Sequence, residues 1–202
     1  MEIEYKFNYR FNPKSNRLEN YNYSENWWYF ITICTKDRQK YFGEIIDGEM
    51  ILNEYWRIVE NEIKNIPIFR KNVILDEYVI MPDHIHMNLF LNNEVTNEEM
   101  LENNKKMFLP NISTWIPHRN EDNYFSKMSP TKNSLWNIIK LFKWHTSRNI
   151  NAKWEEPYFA WQKNYYDRII RNDNELDRIR KYIFENPLKW ELEKDNEIWI
   201  FM

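Results

Sequence analysis

The sequence predicts an α+β protein whose strands form an antiparallel sheet. Residues 27–35, 73–81 and 84–91 are rich in aromatic and β-branched side chains, which is typical of strands. Other stretches repeat apolar residues at the spacing of one helix face. The elements do not follow the regular strand–helix alternation of a parallel sheet, so an antiparallel sheet with packed helices is favoured.

The first predicted elements are a strand over residues 27–35, a hairpin and a helix. The dipeptide Asp47-Gly48 stands between two short apolar runs and favours a two-residue hairpin turn. Asn53 is a predicted N-cap, and we expect Pro67 to end the helix that follows. The apolar residues at helical spacing are Tyr55, Trp56, Val59 and Ile63.

Two further strands, residues 73–81 and 84–91, are joined at Pro82-Asp83. Side chains alternate between the two faces of a strand, so the second strand divides into two sets. The set predicted to be buried is Ile85, Met87, Leu89 and Leu91, and the opposite set is His84, His86, Asn88 and Phe90.

The remaining elements are a loop insertion, two helices and a strand. Residues 92–130 are rich in asparagine and broken by prolines, which is typical of a long loop. A helix is predicted from about residue 134 to 149 and a strand over 161–170. Asn172 or Asp173 should cap a last helix that runs to Asn186 and stops before Pro187.

Composition indicates a globular protein of one domain. The chain has 202 residues, 43% of them apolar, and no run approaches the roughly 18 apolar residues of a membrane span. It has one cysteine, Cys34, and an N-terminus without the apolar core of a secretory signal, so we expect a cytoplasmic protein. The net charge is −3, but residues 131–181 carry 11 Lys or Arg against 6 Asp or Glu. Such a segment suits either a phosphate-binding surface or the solvated faces of two helices.

The motif HIH places His84 and His86 on the same face of a strand. Two imidazoles so placed can bind one metal ion, and zinc or a later transition metal would suit them chemically. The alternative is a pair of histidines on the polar face of a half-buried strand, and the tripeptide alone favours that alternative.

Tyr182 and Asn186 lie one turn apart in the last predicted helix, along the edge of its apolar stripe. A half-buried tyrosine followed by an asparagine that ends the helix would explain them without any function. If the helix packs against the HIH strand, however, a phenol and an amide would join two imidazoles. A phenol, with its ordinary pKa of about 10, can attack a phosphate that a metal ion activates.

Three motifs then give the chain a family resemblance. They are RLENYNYSENWWYFITICTKDRQKYFG from residue 17, YVIMPDHIHMNLFL from residue 78 and WQKNYYDRIIRNDNELDRIRKYIFENPLKW from residue 161. Their order and content resemble the REP-associated tyrosine transposases, within the superfamily of HUH endonucleases. The resemblance covers residues 17–192 apart from the insertion at 92–130.

The resemblance implies a ferredoxin-like antiparallel sheet with helices packed on one face. It implies Tyr182 as the catalytic nucleophile and His84, His86 and Asn186 as ligands of a divalent ion, Mg or Mn. Such enzymes cut single-stranded DNA near hairpins and form a 5′-phosphotyrosine. Asp83 stands where relatives often carry asparagine, and a carboxylate there would either orient an imidazole or add a surface charge.

The predicted organisation is an N-terminal arm over 1–24, the transposase domain over 25–192 with the insertion, and a tail over 193–202. The resemblance favours a monomer. Two other functions stay open: a non-catalytic single-stranded nucleic-acid-binding protein derived from a transposase, and a replication or mobilisation nickase. The candidates for DNA contact, all from the basic segment, are Lys140, Lys143, Arg148, Lys163, Arg168 and Arg171.

Overall fold

A computed structural model describes residues 23–93, 133–154 and 158–195. Its strands are β1 (Trp27–Cys34), β2 (Gly43–Ile46), β3 (Glu49–Leu52), β4 (Val73–Met81), β5 (His84–Leu91) and β6 (Tyr166–Ile169). Its helices are α1 (Glu54–Phe69), α2 (Leu135–Lys153) and α3 (Asp173–Asp195). Most of the predicted arm, insertion and tail lie outside the described residues.

Four strands form one antiparallel sheet in the order β4-β5-β1-β6, and β2 and β3 form a separate hairpin. Without that hairpin the chain order is βαββαβ followed by α3, and the first six elements have the ferredoxin-like arrangement. The predicted α+β class and antiparallel sheet are therefore confirmed, with three helices packed against the sheet.

The helices divide between the two faces of the sheet. On one face, Tyr78 of β4 donates a hydrogen bond to Glu60 of α1, and α2 packs against α1. On the other face, Tyr182 and Arg180 of α3 contact β5 and β4. The prediction that the helices pack on one face of the sheet holds for α1 and α2, whereas α3 packs against the opposite face.

The alternation predicted for β5 is present, but both of its faces are buried. Ile85, Met87 and Leu89 are fully buried beneath the helices of their face. His84 and His86 on the other face are each only 5% exposed. The coverage of this polar face by α3 is what makes the strand buried throughout.

Local signals set the helix starts and the hairpin as predicted. Asn53 Oδ1 accepts from Tyr55 N at 3.0 Å, and Asn172 Oδ1 accepts from Glu175 N at 2.9 Å. Asp47 and Gly48 both have positive φ, 53° and 73°, as a type I′ turn requires.

Both proline predictions are wrong. Pro67 lies in the last turn of α1, and the helix continues past it to Phe69. Pro187 lies inside α3, which continues to Asp195. A proline inside a helix costs about 3 kcal/mol, and contacts beyond it offset that cost. The carboxylate of Glu191 accepts from the backbone N–H groups of the β2–β3 turn, 3.0 Å from one of them.

Strand β6 is shorter than predicted. Trp161 makes a single bridge with Thr35, and regular pairing resumes only at Tyr166. Between them, the carbonyls of Gln162 and Asn164 accept hydrogen bonds from the ammonium of Lys143 at 3.0 and 2.8 Å. Because these carbonyls accept from Lys143 of α2 and not from a neighbouring strand, the pairing of β6 with β1 begins only at Tyr166.

Candidate active site

The centre of the site is the pair of imidazoles on β5. His84 and His86 point to the same face, and their Nε2 atoms lie 3.1 Å apart. Strand β1 supplies the neighbours on that face, because Cys34, Thr32 and Phe30 are the residues opposite His84, His86 and Asn88. The predicted convergence of the two imidazoles is therefore present.

The Nδ1 atoms of both rings are held by hydrogen bonds on the side away from this convergence. His84 Nδ1 lies 2.6 Å from Asp83 Oδ1, and His86 Nδ1 lies 2.8 Å from Thr32 Oγ1. A carboxylate only accepts, so His84 donates through Nδ1 and its neutral ring keeps a lone pair on Nε2. Asp83 itself is held by Arg38, whose Nε donates to Oδ2 at 2.9 Å.

Burial sets the protonation of the two rings. Burial lowers the pKa of His84, although the hydrogen bond and charge of Asp83 act in the opposite direction. Burial lowers the pKa of His86 further, and the neighbouring His84 adds to the effect. Both rings are therefore neutral near pH 7, the state in which an imidazole nitrogen can bind a cation.

Helix α3 brings a phenol to the imidazole pair. Tyr182 Oη lies 3.4 Å from His86 Nε2, and the two rings are 5.3 Å apart. Phe30 fixes both of them, since it stacks on His86 and meets Tyr182 edge-on. Tyr182 is only partly buried, so a substrate can reach it.

An ion pair attaches this part of α3 to the sheet. Arg180 donates through two nitrogens to the carboxylate of Asp76 in β4, each at 2.8 Å. A bidentate pair fixes direction as well as distance. Because Arg180 stands two residues before Tyr182, it determines where the phenol meets β5.

Asn186 lies between the two contacts that α3 makes with the histidines. One turn before it, Tyr182 meets His86, and one turn after it, the ring of Trp190 lies 5.5 Å from the ring of His84. Asn186 is 6% exposed, and its side chain makes no hydrogen bond within the described part of the chain. Its position in α3 is therefore on the part of the helix that contacts the two histidines.

These donors fit a divalent cation. Two nitrogens 3.1 Å apart can each lie about 2.1 Å from one ion at an angle of about 95°. That angle is near the right angle of an octahedral site. Among the described residues, no cluster of three or more His, Cys, Asp or Glu is suited to a metal.

The cations predicted to contact DNA are in different surroundings. Lys143 is partly buried and donates to two carbonyls, and its burial lowers its pKa to about 8. Arg168 lies on the site face but is paired with Glu175. The remaining four are exposed: Lys140, Arg148, Lys163 and Arg171.

Several neighbours of the site carry no strong sequence signal. The pairing of Thr32 with His86, and the ion pair of Arg38 with Asp83, join residues that are distant in the chain. Their contacts depend on strand register, which a single sequence does not give. Trp190 is a neighbour that the sequence could have predicted, because it follows Tyr182 by two helical turns on the same face.

The fold and site together describe an α+β protein with two neutral imidazoles and a tyrosine on the polar face of its sheet. No protein-family model matches the chain. It is 34% identical over 178 residues to an uncharacterized protein of Haemophilus influenzae, covering 88% of this chain and 89% of that protein. The chain belongs to the same family as that protein.

Two solved structures have a similar fold at low sequence identity. One is a REP-associated tyrosine transposase bound to a REP hairpin, with 16% identity, a TM-score of 0.44, and coverage of 82% of this chain and 68% of that one. The other is a candidate transposase of Deinococcus radiodurans, with 12% identity, a TM-score of 0.42, and coverage of 85% and 98%. No helix of the described ranges is both long and apolar enough to cross a bilayer.

Proposed function

We propose that the protein is a metal-dependent endonuclease and strand transferase of single-stranded DNA, with Tyr182 as its nucleophile. The observation that carries this proposal is the convergence of three groups. Tyr182 Oη lies 3.4 Å from His86 Nε2, which in turn lies 3.1 Å from His84 Nε2. A nucleophile beside a pair of neutral imidazoles is the arrangement that phosphodiester cleavage by a metal-assisted tyrosine requires.

In this proposal His84, His86 and Asn186 hold the divalent ion, Mg or Mn. When bound, the ion supplies Lewis-acid polarisation of a non-bridging phosphate oxygen. Asp83 and Thr32 keep the Nδ1 atoms engaged, so that the Nε2 atoms face the ion. The near-complete burial of both imidazoles removes competing water from their surroundings.

Tyr182 then attacks the scissile phosphorus in line. A bond forms between phosphorus and the phenolic oxygen, and the bond to the 3′-oxygen breaks. The phenol releases its proton to solvent and the leaving 3′-oxygen takes one up, which leaves a 5′-phosphotyrosine and a 3′-hydroxyl. A 3′-hydroxyl of another strand reverses the step and releases the tyrosine. The phosphotyrosine conserves the energy of the phosphodiester for this second step.

The substrate is a single strand next to a hairpin, as the sequence resemblance implies. Exposed Lys140, Arg148, Lys163 and Arg171 and the partly exposed Arg168 can contact phosphates, whereas Lys143 is engaged with backbone carbonyls. We expect a monomer to be sufficient, because both the imidazoles and the tyrosine come from one chain.

The test is covalent adduct formation on hairpin oligonucleotides with single-stranded flanks, with Mn²⁺ or Mg²⁺ and with a chelator. Tyr182→Phe should abolish adducts, a loss of at least about 10³-fold, while DNA binding persists. Tyr166→Phe is the matched control, because Tyr166 lies on the same sheet face opposite Thr32.

Replacing both His84 and His86 by alanine should remove the metal-dependent cleavage. Adducts that form with Tyr182→Phe, or cleavage unaffected by chelator, would contradict the mechanism. Binding of single strands with no adduct on any hairpin would instead indicate a non-catalytic binding protein.

A further inference from the structure

The connection between β1 and β2 runs beside the imidazole pair. Thr35 N and Thr35 Oγ1 both donate to the carbonyl of Asp83, each at 2.9 Å. Arg38 Nε donates to the carboxylate of the same residue at 2.9 Å. Asp83 immediately precedes His84, so this connection lies at the His84 end of the site.

Lys163 lies near the connection between β1 and β2, although it is distant from it in sequence. Lys36 N donates to Ala160 O at 2.8 Å, and Gln162 N donates to Cys34 O at 2.9 Å. The segment that leads into β6 therefore runs alongside the start of the connection. The cationic rim is defined as Lys36, Arg38, Lys40 and Lys163, which this pairing brings to one end of the sheet.

The charges of the cationic rim are largely unbalanced. Lys36, Lys40 and Lys163 are exposed, and none has a carboxylate within 4.0 Å among the described residues. Three other exposed lysines, Lys64, Lys153 and Lys189, are paired with carboxylates, whereas Lys140 contacts the ring of Trp136. In a chain of net charge −3, three exposed lysines without an ion pair therefore lie at the end of the sheet that carries His84.

The connection is held in shape by its own hydrogen bonds. Arg38 N donates to Thr35 O, and Gln39 N donates to Lys36 O. The one hydroxyl proton of Thr35 is shared between Gln39 O at 2.7 Å and Asp83 O at 2.9 Å. Lys36 and Lys40 thus stand on a backbone that is ordered before a ligand arrives. Pre-ordering lowers the entropic cost of binding.

We propose that the cationic rim binds the phosphates of a single DNA strand that flank the scissile phosphate on the His84 side. This rests on the proposed function, which brings the scissile phosphate to His84 and His86. Because both imidazoles are 5% exposed and covered by α3, only a flexible single strand can reach them. Its neighbouring phosphates would then pass over the end of the sheet, where Lys36, Lys40 and Lys163 lie.

The experiment compares two charge-matched variants of the full chain, both in the Tyr182→Phe background so that covalent trapping does not contribute to binding. The test variant carries Lys36→Gln, Lys40→Gln and Lys163→Gln. The control carries Arg57→Gln, Lys64→Gln and Lys153→Gln, three exposed cations of α1 and α2. Each variant removes three positive charges, so non-specific electrostatics change equally.

The measurement is the affinity for a single-stranded oligonucleotide over a salt series. For single strands the slope of log K against log salt changes by about 0.7 for each phosphate contact. The test variant should lower the magnitude of the slope by about 2, and the control should leave it unchanged. Equal slopes for both variants would overturn the proposal.

Two further measurements distinguish failure of the cationic-rim proposal from failure of the proposed function. Adducts formed by the chain with Tyr182 intact, together with an unchanged slope in the test variant, would reject the cationic rim alone. Absence of both adducts and single-strand binding would reject the function and the rim together. If the triple variant does not fold, Lys163→Gln alone should still lower the slope by about 0.7.

Discussion

The two faces of the sheet are held together by different interactions. On the face of α1 and α2 the contacts are mainly apolar, and residues such as Ile63, Met87 and Ile139 are fully buried. On the face of α3 the buried groups are imidazoles, an amide and an ion pair. Asn88 Oδ1 is buried there without a hydrogen-bond partner in the described part of the chain, a cost of about 1–3 kcal/mol.

The difference teaches that the apolar burial and the candidate site lie on opposite faces of one sheet. The apolar face supplies the burial that stabilises the fold. The polar face carries groups whose burial is costly, and natural proteins accept such costs at functional sites. Four predictions test this separation, beginning with the largest expected effect on stability.

Met87 and His86 are adjacent in β5 but point to opposite faces. Met87→Ala should destabilise the protein by about 2–5 kcal/mol, because it removes buried apolar volume and leaves a cavity. His86→Ala should cost about 1 kcal/mol, because the lost contacts are offset by the relief of burying a polar ring. Urea unfolding measures both values. Similar losses of unfolding free energy in the two variants would mean that the two faces contribute equally to stability.

The order of the two variants should be reversed for cleavage activity. His86→Ala should lose metal-dependent cleavage, and Met87→Ala should retain it at temperatures where the variant is folded. Loss of cleavage by a folded Met87→Ala protein would argue against the separation.

The ion pair between Arg180 and Asp76 is the next largest contributor. Its side chains are 31% and 15% exposed, intermediate between surface and buried pairs. Arg180→Ala should cost about 2 kcal/mol and lower the cleavage rate, because α3 would no longer hold Tyr182 against His86. Arg180→Lys keeps the charge but not the bidentate geometry. It should restore part of the stability and less of the rate; full recovery of both would show that charge alone suffices.

The polar face should also make stability depend on pH. Burial lowers the pKa values of His84 and His86 in the folded chain, so below a pH of about 6.5 the unfolded chain binds more protons than the folded one. Stability should therefore fall as the pH falls below about 6.5. Unfolding free energies between pH 7.5 and 5 should show this for the native chain in the absence of divalent ions. Replacing both histidines by alanine should remove that part of the dependence, and an unchanged slope would contradict it.

Some of the site was predictable because short-range periodicity decides it. Residues two apart in a strand share a face, which puts His84 with His86, and residues four apart in a helix share a face, which puts Tyr182 with Asn186. Caps and turns are equally local, as Asn53, Asn172 and the Asp47-Gly48 turn illustrate. The roles of these side chains in metal binding and catalysis stay predictions.

Other features were not predictable because they depend on partners distant in the chain. Pro187 was expected to end α3, but Glu191 binds the β2–β3 turn and holds the helix beyond it. Lys143 was expected at a DNA surface, but the segment before β6 supplies two carbonyls that engage its ammonium. The sequence around Pro187 and Lys143 predicts neither contact.

The sequence by itself determined which side chains share a strand or helix face, because backbone geometry fixes the periods of 2 and 3.6 residues. Only the tertiary structure decided that the two faces meet, with Tyr182 against His86 and Asp83 held between Arg38 and His84. The physical reason is that strand register and helix docking are set by packing and pairing over the whole sheet.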